Sequence, residues 1–160
     1  MGLSEIRGQD RALRTLGLAY EQGRLHHAYR FQGPEGVGKE LTAMAMARVL
    51  NCQQPSTYEI PGEESRQAVT LPDFCGHCGA CRKVASGNHP DVRMVTPEKG
   101  KARIAIAQIR ELQGWVVYPP GEGRHKVVVV RDADRITEEA ANAFLKMLEE
   151  PPPSTHFFLV

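Results

Sequence analysis

The glycine-rich stretch GPEGVGKE, residues 33–40, is the first part of the sequence whose residue types could do chemistry. A phosphate-binding loop has Gly, four residues, Gly, Lys and then Ser or Thr. Gly33, Gly38 and Lys39 match that spacing, but Glu40 stands where the pattern has a hydroxyl. In such loops the backbone N–H groups and the lysine bind phosphates, and the hydroxyl binds Mg²⁺. The stretch therefore predicts a degenerate nucleotide site, made by Gly33, Pro34, Glu35, Gly36, Val37, Gly38, Lys39 and Glu40.

Glu40 has two interpretations that can both hold. Its carboxylate would lie near the negative charge of a nucleotide and would displace the oxygen that binds Mg²⁺. An acidic residue is also favoured in the first turn of a helix, because it interacts with the positive end of the helix dipole. Since Lys39 and the glycines are intact, binding of ATP or ADP without hydrolysis stays open.

A second set of charged residues follows the valine run at 127–130, in the order Arg131, Asp132, Ala133 and Asp134. In P-loop ATPases a buried strand of this kind ends in an Asp that supports Mg²⁺. That position is Arg131 here, and Asp132 takes the next position, where an ATPase has the Glu that orients water. Both positions that handle Mg²⁺ are therefore abnormal. We assign no catalytic residue and expect little or no ATP hydrolysis.

Four cysteines, Cys52, Cys75, Cys78 and Cys81, are all that the chain contains. In a cytosolic protein such a dense cluster indicates a structural zinc site with four thiolate ligands, while a redox or disulfide role stays open. Gly76 and Gly79 would let the backbone turn within the cluster, and His77 is expected to be exposed and not to bind the metal.

Composition sets limits on the class of protein. The chain has 160 residues, with 41% hydrophobic residues, 24% charged residues and a net charge of +1. This is an ordinary balance for one globular domain, without the positive charge of a tight nucleic-acid binder. No apolar run approaches the roughly 20 residues that cross a bilayer, and the N-terminus is too polar for a secretory signal. We expect a cytoplasmic protein. The chain stops in the strand-like stretch STHFFLV, so we also expect a fragment of a longer one.

The elements that must position these residues follow from periodicity and from glycine and proline signals. In the helix at the end of the chain, Thr137 is the expected N-terminal cap, and Ala141, Phe144, Leu145 and Leu148 are expected to face inward. The order of elements predicts an α/β doubly wound sheet, mostly parallel. We predict helices over 9–22, 40–52, 106–120 and 137–153, strands over 27–32, 91–97 and 127–130, and an irregular mobile loop over 53–74.

Several stretches together resemble one family, the bacterial clamp-loader subunits of the DNA polymerase III holoenzyme, within the AAA+ superfamily. The resemblance covers about residues 4–160. It is carried by GQD (8–10), HHAYRFQGPEGVGKE (26–40), the cysteine set, HPDVRMVTPEKGK (89–101), IAIAQIRELQ (104–113) and NAFLKMLEEPP (142–152).

The resemblance implies a three-layer P-loop fold of the AAA+ type, with a zinc module inserted at 52–81. Residues 1–160 would form the N-terminal nucleotide-fold domain, cut before its end, without the lid and collar domains. The arginine finger and the sensor residues of the family would lie beyond residue 160. The implied partners are the other clamp-loader subunits, gamma/tau and delta, and through them the sliding clamp and primed DNA, with no membrane.

Within the family, Glu40 and Arg131 depart from the gamma/tau motor ATPases in the same sense, and TPEKGK (96–101) is similar to the delta-prime members. The resemblance thus implies a delta-prime type of subunit that helps to load the clamp without hydrolysing ATP. A gamma/tau-type motor is the main alternative. A P-loop kinase or a stand-alone zinc protein that binds nucleic acid is a third.

Overall fold

The computed structural model describes residues 2–62 and 67–160. Short 3₁₀ turns at Leu3–Glu5 and Ala133–Arg135 accompany the regular elements. The helices are α1 Asp10–Glu21, α2 Lys39–Asn51, α3 Gly79–Ala85, α4 Ile106–Val116 and α5 Glu138–Glu149. The strands are β1 Ala28–Arg30, β2 Ser56–Ile60, β3 Val69–Asp73, β4 Val92–Val95, β5 Lys126–Val130 and β6 Thr155–Leu159.

The central sheet is parallel and has four strands, in the order β1-β6-β5-β4. Every residue of β5 is buried, as expected for a strand covered on both faces. The predicted α/β class is confirmed, and the architecture is consistent with a P-loop fold of the AAA+ type. Among the described residues, no helix has the length and apolar character needed to span a membrane.

Successive side chains of β5 point to opposite faces of the sheet and so build two separate cores. Val127 and Val129 pack in a cluster that includes buried residues of α1 and α2 and three of the cysteines. Val128 and Val130 pack in a cluster with buried residues of α4 and α5. The sheet is thus the middle of three layers, and the cysteine cluster belongs to the core on one face only.

The expectation of an irregular loop over 53–74 is wrong for the described part of that range. β2 and β3 form an antiparallel hairpin there, and the part at 63–66 lies outside the described residues. Leu71 is 1% exposed and lies against Gly17 of α1, where a β-carbon would come within 2.6 Å of its Cδ2 atom. The strands were not recognised from the sequence because they contain Pro72, which an edge strand tolerates, and because most residues of β2 are polar and exposed.

The last predicted helix is confirmed, but two of its four predicted inward residues, Ala141 and Leu145, do not belong to the core. Thr137 caps α5, because its Oγ1 accepts a hydrogen bond of 3.2 Å from the Ala140 N–H. Phe144 is buried, but Leu145 is 54% exposed, and Met147 is buried in its place. Each helical residue turns by about 100°, so the stripe through residues 140, 144 and 147 leaves Leu145 outside the core.

Candidate nucleotide and metal sites

The loop at 33–38 joins the end of the β1 segment to the start of α2, which is the strand–loop–helix context of a phosphate-binding loop. Gly36 has a φ of 81° and Gly38 a φ of 92°, a left-handed conformation that side chains other than glycine rarely adopt. Gly38 is the N-terminal cap of α2, so the first N–H groups of the helix open into the loop. The backbone therefore has the form needed to bind an anion.

Lys39 lies along this loop. Its Nζ atom donates hydrogen bonds of 2.7 Å to the Gly33 carbonyl and 2.9 Å to the Pro34 carbonyl. An ammonium group has three N–H donors, so one remains for a ligand. The lysine thus lies at the loop, as predicted for a phosphate-loop lysine, and among the described residues it forms no ion pair with a carboxylate.

The two abnormal positions, Glu40 and Arg131, contact each other. Arg131 follows β5 directly, and its Nη2 donates to Oε1 of Glu40 in the first turn of α2. The hydrogen bond and the charge of Glu40 raise the pKa of the Arg131 guanidinium above its ordinary value. Among the described residues, the Arg131 Nε is buried and has no hydrogen-bond acceptor. Sequence reasoning treated these residues as two independent losses and missed their pairing, although their opposite charges were a signal for it.

Mg²⁺, which an ATPase of this fold requires, does not fit these residues. Mg²⁺ takes oxygen ligands in an octahedral arrangement at about 2.1 Å. Arg131 offers only donors and a fixed positive charge, and the carboxylate of Glu40 is already its partner. The predicted residues Asp132 and Asp134 follow Arg131, and in the described structure no hydrogen bond joins their carboxylates to the loop. In the described structure, the two residues that stand where an ATPase would supply Mg²⁺ ligands form an ion pair with each other.

The four cysteines converge on one point. Their Sγ atoms all lie within 4.8 Å of one another, and those of Cys52 and Cys75 are 3.6 Å apart. Four sulfurs around one zinc at about 2.3 Å would be about 3.8 Å apart, so the spacing fits a tetrahedral metal site. All four thiols are free. Cys52 follows α2, while Cys75, Cys78 and Cys81 come from the β3–α3 connection and α3, so this cluster could hold a metal ion.

Backbone N–H groups donate hydrogen bonds to three of the four sulfurs and so favour the thiolate form, which is the form that binds a metal cation. The N–H groups of Cys75, Cys78 and Cys81 point to the sulfurs of Cys52, Cys75 and Cys78, at 3.3–3.4 Å. Burial raises the pKa of the Cys78 thiol, but N–H donors and neighbouring thiols outweigh it and lower the pKa to about 6. Burial raises the pKa of Cys52 and Cys81. His77 is exposed, as expected, and hydrogen-bonds with the Cys75 carbonyl.

A further polar site was missed entirely by sequence reasoning. The buried carboxylate of Asp91 accepts hydrogen bonds from the N–H groups of Gly121, Glu122 and Gly123, at 2.7, 2.8 and 2.6 Å. The Asn51 Oδ1 accepts from the next two N–H groups of the same turn. These contacts hold the turn before β5. A turn with two glycines, Gly121 and Gly123, ahead of the valine strand was the only available signal.

Comparison with known proteins gives consistent matches. Residues 8–160 match the family model described as "DNA polymerase III, delta subunit". The chain is 40% identical over 141 residues to DNA polymerase III subunit delta' of Escherichia coli strain K12, covering 88% of this chain and 38% of that protein. It is 37% identical over 134 residues to subunit delta' of Pseudomonas aeruginosa, covering 84% and 37%.

A relative named as a tau subunit also matches, at lower identity. Subunit tau of Escherichia coli strain K12 is 33% identical over 156 residues, which cover 98% of this chain and 22% of that protein. The chain therefore spans well under half the length of each of these relatives.

Proposed function

This chain belongs to the DNA polymerase III delta subunit family, and on that premise we propose that it is the nucleotide-fold part of a delta-prime-type clamp-loader subunit. In this role it works with the gamma/tau and delta subunits to load the sliding clamp on primed DNA. It contributes a folded domain to the assembly and does not itself hydrolyse ATP.

One observation carries the non-motor assignment, the ion pair between Glu40 and Arg131. A subunit that hydrolyses ATP must hold Mg²⁺ between the helix after the phosphate loop and the strand that carries the supporting acid. In this chain those two places are joined by a guanidinium and a carboxylate. The higher identity to delta' relatives than to tau relatives supports the same assignment.

The cysteine cluster has a structural role in this proposal. Zinc at Cys52, Cys75, Cys78 and Cys81 would tie the β2–β3 hairpin and α3 to the end of α2. Four thiolates leave no open position on zinc, so the ion would do no chemistry of its own. Residues 1–160 then form an N-terminal nucleotide-fold domain with the zinc module at 52–81 inserted, and the lid and collar domains lie outside it.

A gamma/tau-type motor is the second candidate, and one observation favours it. Lys39 is intact and well placed, and the match to tau covers more of this chain than the matches to delta' do. A motor would turn over ATP in a reaction that needs Lys39. A delta-prime-type subunit would not.

Assembly tests the proposal. The protein is co-expressed with the gamma/tau and delta subunits of the same bacterium, and the mixture is separated by size-exclusion chromatography. We expect one complex that contains this protein and that loads the clamp on primed DNA, while the mixture without it loads poorly. Failure to enter the complex, or loading that is unchanged without the protein, contradicts the proposal.

A further inference from the structure

We infer that the groove between α2 and β4 is a docking site for an extended segment of a partner protein, one that carries an apolar side chain and a carboxylate two residues apart. The segment adds to the central sheet along the open edge of β4. The inference goes beyond the proposed function and does not depend on it, because it rests on the residues of the groove alone.

The groove has a volume of about 720 Å³ and mostly apolar walls. Two of its large apolar side chains, Leu41 of α2 and Met94 of β4, are 38% and 39% exposed. Exposed apolar side chains that share one concave surface mark binding sites, whereas scattered ones need no explanation. The apolar walls are formed mainly by Leu41, Met44, Val84, Val92 and Met94.

The backbone of β4 can bind a further strand, because β4 lies at the edge of the sheet and pairs only with β5. The Val95 carbonyl accepts a hydrogen bond from the Arg131 N–H, on the β5 side. Backbone groups of successive strand residues point to alternate sides, so those of Met94 and the Val92 carbonyl point to the open edge. The Val92 N–H is bonded to the His89 carbonyl in the preceding turn. Free N–H and C=O groups along an edge are what an extended peptide binds.

A buried histidine gives the groove a hydrogen-bond donor. His89 lines the groove and is 3% exposed. Its Nδ1 accepts a hydrogen bond of 3.1 Å from the Asp91 N–H, so the ring carries its proton on Nε2. Burial lowers the pKa of His89 below its ordinary value and keeps the ring neutral. The Nε2 atom is buried and has no partner among the described residues, so it needs an acceptor.

Arg48 gives the groove a positive charge. Its guanidinium lies over the Phe74 ring, 5.0 Å from the ring centroid. Its Nε is buried without a partner, and none of the ion pairs between described residues includes it. Glu40, an acid that also lines the groove, is already paired with Arg131. The complement of an uncompensated guanidinium and a neutral N–H donor is a carboxylate, which only accepts hydrogen bonds.

Strand geometry joins these features into one ligand. Val92 and Met94 are two residues apart on β4, and both line the groove. An added strand has the same period, so side chains two residues apart on it also face the groove. An apolar side chain there suits the wall formed by Leu41 and Met94, and a carboxylate suits Arg48 and His89.

The test is a selection of random short peptides, displayed on phage, against the purified protein. We expect the enriched peptides to share an apolar residue and an Asp or Glu two positions away. An enriched peptide is then synthesised with a fluorescent label, and its affinity is measured by anisotropy. A selection that enriches nothing, or that enriches peptides without an acidic residue, would overturn the inference.

Variants locate the peptide. Arg48→Met removes the charge and keeps an unbranched side chain, and it should weaken binding on the order of tenfold. Leu41→Ala removes part of the apolar wall and should weaken binding on the order of fivefold. Arg110→Met and Leu145→Ala are the matched controls, at exposed positions of α4 and α5 on the other face of the sheet, and should leave the affinity unchanged. Unchanged affinity in both groove variants would overturn the inference. Circular dichroism checks that each variant is folded.

Amide hydrogen exchange of the wild type, followed by NMR, needs no variant. Saturating peptide should slow exchange of the Met94 N–H, because an added strand accepts a hydrogen bond from it. An unchanged rate at Met94 would overturn the inference.

Two other occupants are outcomes of the same work. Self-association in sedimentation equilibrium that Arg48→Met abolishes would assign the groove to a second copy of the chain. Binding of decanoate that Arg48→Met abolishes, together with a failed peptide selection, would assign it to a small amphiphilic acid. Either result would overturn the inference and would leave the proposed function, which assembly tests, unaffected.

Discussion

Arg131 is the residue whose interpretation changes most between the sequence and the structure. The sequence alone indicates that an acid is missing after β5 and a hydroxyl is missing after Lys39. The opposite charges of Glu40 and Arg131 are compatible with a contact, but the contact itself becomes visible only in the fold, where β5 ends beside the first turn of α2. Each residue alone would look like a random loss. Together they form a neutral pair where the metal of an ATPase would lie.

A pair of histidines gives a prediction at the same scale. The His125 Nδ1 lies 3.3 Å from the His156 Nε2, and the His156 Nδ1 lies 3.1 Å from the His26 carbonyl oxygen. Burial, with the charges of His156 and Arg124, lowers the pKa of His125 to about 4. In the unfolded chain the His125 imidazole takes up a proton near its ordinary pKa of about 6.5. In the folded chain it stays neutral down to about pH 4. The free energy of unfolding therefore falls as the pH drops through this window.

We expect His125 to contribute a loss of about 1–2 kcal/mol in the free energy of unfolding between pH 7 and pH 5. His125→Gln cannot take up the proton, so urea unfolding of this variant should show a smaller drop over the same range. His77→Gln, at an exposed position, is the control and should retain the full drop. If His125→Gln loses as much stability as the wild type, the histidine pair does not cause the effect.

At the scale of elements, the apolar pattern of the sequence predicted the helices and strands with strong periodicity. It missed the elements whose positions depend on particular contacts. α1, α2, α4, α5 and β5 carry clear apolar patterns, so they were predictable. The β2–β3 hairpin was missed because its strands are short and polar on one face. Helix α3 was missed because it starts at Gly79 and has only seven residues. Its start is fixed by Cys78, whose sulfur accepts from the Cys81 N–H.

The turn before β5 depends on one carboxylate, and Asp91→Asn should show this. Burial raises the pKa of Asp91, but the three N–H donors of the turn outweigh it and hold the pKa below its ordinary value. An amide nitrogen would turn its own donors toward those N–H groups. We expect the substitution to lower the free energy of unfolding by about 2–4 kcal/mol, as for other buried charge-assisted contacts.

Urea unfolding at pH 7 measures this loss. Glu111→Gln is the control, because Glu111 forms a 3.3 Å ion pair with Arg93 and its side chain is 76% exposed. Pairs of that kind contribute at most about 1 kcal/mol. Equal losses in the two variants would contradict the special role of Asp91.

The cysteine cluster predicts one zinc per chain. Cys78→Ser should lose the metal, and His77→Ala should retain it because His77 is exposed and is not among the four ligands. Removal of the metal by a chelator should speed amide hydrogen exchange in α2, α3 and the hairpin, which share a core with the cysteines. Exchange in α4 and α5 should change little, because they pack on the other face.

Metal analysis and hydrogen exchange measured by mass spectrometry check this prediction. Absence of zinc, together with two disulfides in the purified protein, would contradict it. Retention of full zinc content by Cys78→Ser would do the same.

At the scale of the whole molecule, the resemblance seen in short motifs agrees with the family match over residues 8–160. The family was predictable because its motifs are local and lie in order along the chain. The loss of the metal position could be suspected from two residues, but its replacement by a salt bridge depends on the assembled sheet. We therefore propose a P-loop fold in which an ion pair stands in place of the residues that would hold Mg²⁺.

Steady-state ATP hydrolysis by the purified protein with excess Mg²⁺ tests that central claim most directly. We predict a rate equal to background and equal to that of Lys39→Ala, because Glu40 and Arg131 pair with each other where phosphoryl transfer requires ligands for the metal. A rate clearly above background that Lys39→Ala abolishes would contradict the account and would favour the motor-type alternative.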